Sequence, residues 1–379
     1  MIKIIRAATV PLSLNVFCKG MLKELSEKYE IVALSSPDDE LGLVAEREGV
    51  RVIAIPMERH ISLNRDVVSL WRLTKVFRKE KPTMVHSMTP KAGLLCMTAA
   101  WICRVPVRVH TFTGLVFPTS TGLKRKILMA TDWLTCACAT HIIPEGEGVK
   151  KDLMDNGITK KQLKVLGYGN VRGVDMEYYS RRPEIVEKAK EINKDVFTFL
   201  FVGRIAKDKG INELCEAFDM VSGLTPARLL LVGPYEDNLD PISERARKII
   251  DGNPSIECVG GKFGDDLLPY YAASNCFVFP SYREGFPNTV LEAGAMGLPS
   301  IVTDINGSRE IISQGENGVI IPSHDTNALL DAMLNMIRDK AAREQMAGNA
   351  RRMIEERYEQ GYVRKCLYDY YDEILAPYV

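Results

Sequence analysis

The 379-residue sequence contains no Cys-x-x-Cys pair and no Asp-x-Asp pair, and its densest apolar, charge-free run, residues 92–103, is 12 residues long. The nine cysteines are scattered without metal-like spacing, so reduced thiols are expected rather than a zinc cluster or a disulfide framework. Without Asp-x-Asp the usual carboxylate pair for a catalytic divalent metal is missing, and neither a metal nor a cofactor is expected. A run of 12 falls short of the roughly 18 to 20 apolar residues that span a bilayer. The N-terminal Met1-Ile-Lys-Ile-Ile-Arg6 lacks a small-residue cleavage site and reads as a first strand. A Gly-x-Gly-x-x-Gly fingerprint is also missing. The near match Gly167-Tyr-Gly169-Asn-Val-Arg-Gly173 has the wrong spacing and position for a dinucleotide-binding dehydrogenase.

What is present is ordinary globular composition, 46% hydrophobic and 26% charged, with formal net charge zero, which argues against a nucleic-acid binder. The neutrality conceals a division. Residues 1–182 hold 28 Lys and Arg against 18 Asp and Glu, whereas residues 183–379 hold 21 against 31.

Short β-branched runs alternate with helical patterns along the whole chain, the signature of βαβ units and parallel sheets. Six strands are expected in each half, beginning at Ile2, Glu30, Arg51, Thr83, Val107 and His141, and again at Val196, Arg228, Ser255, Cys276, Ser300 and Gly318. The polar segment 170–194 separates them, which predicts an α/β protein of two Rossmann-like domains, 1–180 and 181–379, with parallel sheets facing across a cleft. A terminal helix at about 360–379 is expected to pack back on the first domain. Ligand-binding loops in such sheets lie at the carboxyl ends of the strands.

Two loops carry the strongest chemical pattern. In the first, a strand ends at Gly203 and Arg204-Ile-Ala-Lys-Asp-Lys209-Gly210 leads into a helix near Ile211. Cations at a helix N-terminus suit a diphosphate. In the second, Pro280-Ser-Tyr-Arg-Glu284-Gly285-Phe286-Pro287-Asn288-Thr289 opens a helix that carries Glu292 and stops at Gly297. Ionised carboxylates only accept hydrogen bonds, so Glu284 and Glu292 suit the hydroxyls of a ribose or hexose.

At these residues the chain resembles the retaining glycosyltransferases of family 4, with the GT-B fold, and most closely their bacterial members that extend capsular, lipopolysaccharide or other lipid-linked glycans. The resemblance spans nearly the whole chain, including Asn306-Gly307 and Asn317-Gly318. It implies a metal-independent hexosyl transfer from a nucleotide-sugar, with UDP as the expected carrier, to a saccharide acceptor on a polyprenyl diphosphate. By the same resemblance Arg204 and Lys209, behind Gly203, hold the donor diphosphate, and Glu292 holds the ribose. Glu284 with the amides of Gly285, Phe286 and Pro287 holds the hydroxyls of the transferred sugar, the amides on to Asn288 and Thr289 hold polar ligand oxygens, Val259-Gly260-Gly261 cradles the nucleobase, and His110 touches the hexose. Ser13, in place of a Gly-Gly pair after the first strand, His86 and the hinge residue Asn170 are acceptor-side candidates.

The consecutive cations Lys124, Arg125 and Lys126 open a helix whose N-terminal end disfavours positive charge, so a ligand or surface is the expected reason for them. With Arg108 and Lys161 on the same basic half they read as a face for an anionic membrane surface, which makes the protein cytoplasmic and peripheral to the inner membrane. A GT-B nucleotide-sugar epimerase and a non-catalytic sugar-binding protein are the alternative readings.

Overall fold

The protein is described here by a computed structural model that covers residues 1–58 and 62–379; His60, which has no motif context, lies outside the described residues. All twelve expected strands are present, with ends shifted by a residue or two. The first sheet holds β1 Lys3–Ala7, β2 Glu30–Ser35, β3 Arg51–Ala54, β4 Met84–Met88, β5 Val107–Phe112 and β6 His141–Pro144. The second holds β7 Phe197–Val202, β8 Ala227–Val232, β9 Ile256–Gly260, β10 Cys276–Phe279, β11 Ser300–Thr303 and β12 Gly318–Ile321. Every pairing is parallel. Both faces of such sheets are covered by helices, which explains the near-continuous apolar runs of β8 and β10 and the burial of β4, β8 and β10 along their full length.

The chain forms two compact units, residues 1–173 with 361–379, and residues 174–360. The division falls between Gly173 and Val174, ahead of the stretch around 180–194. That stretch is itself folded: Pro at its first position fixes a helix, Pro183–Ile192, which buries Ile185 and Ala189. In the first unit the strand order is β3-β2-β1-β4-β5-β6. Side chains of β1 alternate between two cores, Ile5 and Ala7 facing one and Ile4 the other. The helix Gln360–Leu375 covers the second of these cores with Val363, Leu367, Tyr370, Tyr371, Ile374 and Leu375. At roughly 1.5–3 kcal/mol for each fully buried aliphatic side chain, this burial outweighs any intrinsic helix preference.

The second unit repeats the order, β12-β11-β10-β7-β8-β9. In each sheet the chain starts in the middle and winds outward both ways, so the winding direction reverses between β1 and β4 and again between β7 and β10. Loops leaving the two central strands there part to opposite faces and open a crevice at the carboxyl edge. The fold therefore selects four loops, those after β1, β4, β7 and β10, as the places for chemistry.

Candidate active site

In the second unit the loops after β7 and β10 are the two that the sequence pattern singles out, and the fold sets them side by side. Lys209 pairs directly with Glu284 across the reversal point, with only 14% and 16% of the two side chains exposed. Glu284 Oε1 also accepts from Ser281 Oγ at 2.7 Å. The loops are laced by main-chain contacts: Tyr282 N–H donates to Asp208 O at 2.9 Å, and Ser281 Oγ donates to the same oxygen at 3.2 Å. Gly210 permits this approach. Its φ is +70°, and a Cβ there would lie 2.0 Å from Pro280 O.

Arg204 is bonded to Glu236 at 3.1 Å, after β8, and to Asp208 at 3.4 Å in its own loop. Each motif cation thus already has an acid partner. The arrangement holds both side chains in place and leaves them able to exchange a carboxylate for phosphate oxygens.

The helix Asn288–Ala295 starts where the sequence places it and aims its positive end at the Glu284 loop. Gly285, Phe286, Pro287, Asn288 and Thr289 form that entry. Phe286 is buried against Tyr358, with ring centroids 5.4 Å apart. Pro287 has no N–H, so its expected amide contact to a sugar does not exist, and its carbonyl instead accepts from Val290 N–H at 3.1 Å. Gly307 supports the loop from behind: at φ +73°, a Cβ there would be 2.4 Å from Gly285 O. Glu292 is buried, and Tyr271 donates its hydroxyl to Glu292 Oε2 at 3.1 Å. Gly203 and Gly260 end two strands of the same edge, and Gly233 between them binds Gly260 O through its N–H at 2.9 Å; Val259 lies half-buried beside them.

Among the described residues no ion pair joins the equivalent two loops of the first unit; Lys91, just after β4, pairs instead with Asp66 at 2.6 Å. Thr9, after β1, shares a hydroxyl–hydroxyl bond of 2.7 Å with Thr89, after β4, and Thr9 Oγ1 also accepts from Ala92 N–H. Ser13 is half-buried in the helix Pro11–Phe17, which starts at once after the strand. His110 is buried with its Nδ1 2.9 Å from Ser87 Oγ, its ring edge-on to Phe112 and packed over Gly93, where a Cβ would lie 2.4 Å from the ring. Burial holds its pKa down to about 3, so the ring is neutral.

His86 and Asn170 are buried and bonded within the first unit. His86 points to the opposite face of the sheet from His110, because Arg6 and His86 pair in register while Ser87 pairs with His110. Its Nε2 lies 2.7 Å from Thr111 Oγ1, its Nδ1 meets Arg6 and the Tyr371 hydroxyl, and burial beside the Arg6 charge holds its pKa well below the ordinary value. Asn170, at φ +63°, turns the chain at the end of the unit and accepts on Oδ1 from the N–H groups of Arg172 and Gly173. Asn170 thus does the work of a turn residue.

The basic face is smaller than its sequence count. Lys161 binds the carbonyls of Cys136, Ala137 and Ala139 at the end of the helix Gly122–Cys138, and Arg108 binds Cys138 O at 2.6 Å. Lys124 and Lys126 are exposed, while Arg125 reaches Asn156 Oδ1 at 2.7 Å.

Asp208, Glu236, Ser281 and Tyr271 complete the site and were not singled out from sequence. Asp208 could have been, since it stands four residues after Arg204 in the same loop. Tyr271 comes from a separate short helix, Leu268–Ala272, and has no local signal.

Two Rossmann-type units with a paired cation and carboxylate at the reversal point of the second define the glycosyltransferase class with the GT-B fold. A solved structure of Anabaena Alr3699/HepE in complex with UDP and glucose superposes with a TM-score of 0.82 at 16% identity, covering 98% of this chain and 100% of that one. The profile of the glycosyl transferases group 1 matches residues 183–353, and that of the glycosyl transferase 4-like domain matches residues 14–169. The capsular polysaccharide biosynthesis glycosyltransferase CapM of Staphylococcus aureus is 33% identical over 376 residues, 98% of this chain and 97% of its own length. The UDP-Gal:alpha-D-GlcNAc-diphosphoundecaprenol alpha-1,3-galactosyltransferase of Escherichia coli is 28% identical over 77% of this chain and 76% of its own. The chain belongs to the family-4-like glycosyltransferases of the GT-B fold.

The two buried histidines give a pH dependence of definite sign. Their folded pKa values lie below the unfolded value of 6.5, so on acidification the unfolded chain takes up protons that the folded chain refuses. Stability is therefore expected to be full above about pH 6.5 and to fall by up to about 1.4 kcal/mol per pH unit per histidine below it. Urea unfolding at pH 7 and pH 5 checks this; His110→Gln should lower the slope, and an unchanged slope would place the histidine in water.

Proposed function

We propose that the protein is a retaining glycosyltransferase that moves a hexose or N-acetylhexosamine from a nucleotide-sugar, with UDP as leaving group, to a polyprenyl-diphosphate-linked saccharide in bacterial surface polysaccharide or glycan biosynthesis. The observation that carries this reading is the Lys209–Glu284 pair at the β7/β10 reversal point, with Arg204 in the same loop. Two of the compared proteins, one named for UDP-Gal and one solved with UDP, support the choice of carrier.

In this reading the donor diphosphate takes the place of the acids now beside Arg204 and Lys209. As the sugar–phosphate bond breaks, charge builds on the diphosphate, and two cations fixed in advance stabilise it without rearrangement. Glu292, held by Tyr271, accepts from the ribose. Glu284, released from Lys209 and still accepting from Ser281 on Oε1, offers Oε2 to a sugar hydroxyl. A carboxylate engaged by Ser281 and a sugar hydroxyl is a poor nucleophile, which favours attack of the acceptor hydroxyl on the same face as the departing phosphate. The new glycosidic bond forms as the phosphate ester bond breaks, and the acceptor proton passes to the phosphate oxygen. Neutral His110 is assigned to the hexose. Because the positive charge comes from side chains, the reaction is taken to need no divalent metal.

Lys209→Ala and Arg204→Ala are each expected to lower turnover by about a hundredfold or more, the usual loss for one preorganised donor. Turnover should be the same with and without a chelator. Wild-type rates in a folded Lys209→Ala protein, or activity that vanishes with chelator and returns with a divalent cation, would sink the assignment.

The acceptor's lipid anchor is matched by an apolar face on the first unit. All three tryptophans, Trp71, Trp101 and Trp133, are exposed at 57%, 58% and 56%. They stand on the helices Leu63–Glu80, Pro90–Ile102 and Gly122–Cys138, which pack in sequence against one another. Val67 and Val68 are exposed one turn before Trp71, Leu123 and Ile127 are exposed on the helix of Trp133, Lys75 lies 3.6 Å over the Trp71 ring, and Lys124 and Lys126 stand at the head of the last helix. Tryptophan and lysine side by side suit the headgroup zone of an anionic bilayer, where each cation contributes about 1 kcal/mol. Among the described residues no helix is long and apolar enough to cross a membrane. Vesicle co-sedimentation is expected to require anionic lipid, to weaken with salt, and to weaken further in Lys124→Glu/Lys126→Glu. Binding indifferent to lipid charge would reject this surface.

A further inference from the structure

Arg6 is a feature of the first unit that the proposed transfer does not use and that ordinary packing does not explain. It lies on β1 and is 2% exposed, yet every partner it has is formally neutral. Nη1 donates to the Tyr371 hydroxyl at 2.7 Å and meets His86 Nδ1, and Nη2 lies 3.4 Å from Cys18 Sγ. Nε has no hydrogen-bond partner. Burial pushes the Tyr371 phenol up to about 12, so it supplies no negative charge near neutrality. No carboxylate is among the groups that act on Arg6. A buried guanidinium without an anion costs several kcal/mol, and such charges are normally paired or coordinated.

Beside it is a cavity of about 20 Å³ lined by Arg6, His86, Thr111 and Asn170 among apolar side chains. That is room for one water-sized particle. The bonding pattern also fixes what the cavity presents. His86 Nδ1 faces two donors, Arg6 and Tyr371, so the ring proton sits on Nε2 and is donated to Thr111 Oγ1. The Thr111 hydroxyl proton is then left to donate elsewhere. A formal positive charge, an unmatched N–H and a hydroxyl donor therefore line one small space.

We propose that this cavity is a binding site for a small monovalent anion of chloride size, held by the Arg6 guanidinium and the Thr111 hydroxyl. The anion neutralises Arg6 where the helix Gln360–Leu375, through Tyr371 and Leu367, closes over the sheet. It thereby secures that helix, and the chain at Asn170 and Val171, to the first unit. The proposal does not depend on the transferase reading, since its readout is stability.

The test is thermal unfolding of the full chain at constant ionic strength, with chloride exchanged for gluconate. Saturating chloride is expected to raise Tm by about 2 to 4 °C, with bromide substituting for it. Arg6→Met should abolish the difference. Thr111→Val, which keeps the buried charge, should shift the response to higher chloride concentration, and it decides the matter if Arg6→Met does not fold. A bromide-soaked crystal should show an anomalous peak beside Arg6. Equal Tm in chloride and gluconate, an undiminished response in both variants, or a bromide-free cavity would each overturn the site and leave water as the occupant.

Discussion

The contact between Lys209 and Glu284 is the constraint around which the second unit is arranged. Two loops that leave neighbouring strands in opposite directions would ordinarily separate. Here they are held together by a half-buried ion pair, by Ser281 and Tyr282 bonded to Asp208 O, and by a glycine at 210 that lets one backbone touch the other. Removing either charge leaves its partner uncompensated in a largely desolvated place, which is why such pairs are costly to break singly. The same contact places a cation, a carboxylate and a helix N-terminus within one crevice. Structural economy and chemical capacity come from one interaction.

The two units use one topology for different ends. Each reverses its winding direction between its central strands, but the first joins its loops through the hydroxyls of Thr9 and Thr89 and the second through opposite charges. In the proposed transfer the neutral hydroxyls fall on the acceptor side. Paired charges suit a ligand that arrives as a polyanion and can take over the acid's role. The charge division along the sequence has the same character: an acidic half concentrates a few cations at one crevice, whereas part of the basic half's charge is spent on helix ends, as Lys161 and Arg108 show.

The strands, their number and the division into two sheets were legible because period and composition are local properties, and the motif loops were legible because Arg204, Lys209, Glu284 and Glu292 stand at strand ends and helix starts. What escaped was decided by tertiary register. His86 and His110 look equivalent on adjacent strands, yet a one-residue offset in pairing sends them to opposite faces, one into the Arg6 cluster and one under Gly93. Asn170 has the residue type of a ligand and the geometry of a turn. Tyr271 reaches Glu292 from a distant helix, and Arg6 is an unremarked residue in an apolar strand until its partners are seen to lack charge. Pro287 is different, since its missing N–H needs no structure to be noticed.

The central claim is that Lys209 belongs to the phosphates and Glu284 to the sugar, their mutual pairing being the ligand-free arrangement. Calorimetric titration of UDP into the Glu284→Gln protein, beside its rate of sugar transfer, tests this most directly. The account predicts that UDP binds as well as to the wild type or tighter, because Lys209 is released from its acid, while transfer falls by about a hundredfold. Loss of UDP affinity in a folded Glu284→Gln protein, or transfer at the wild-type rate, would contradict it.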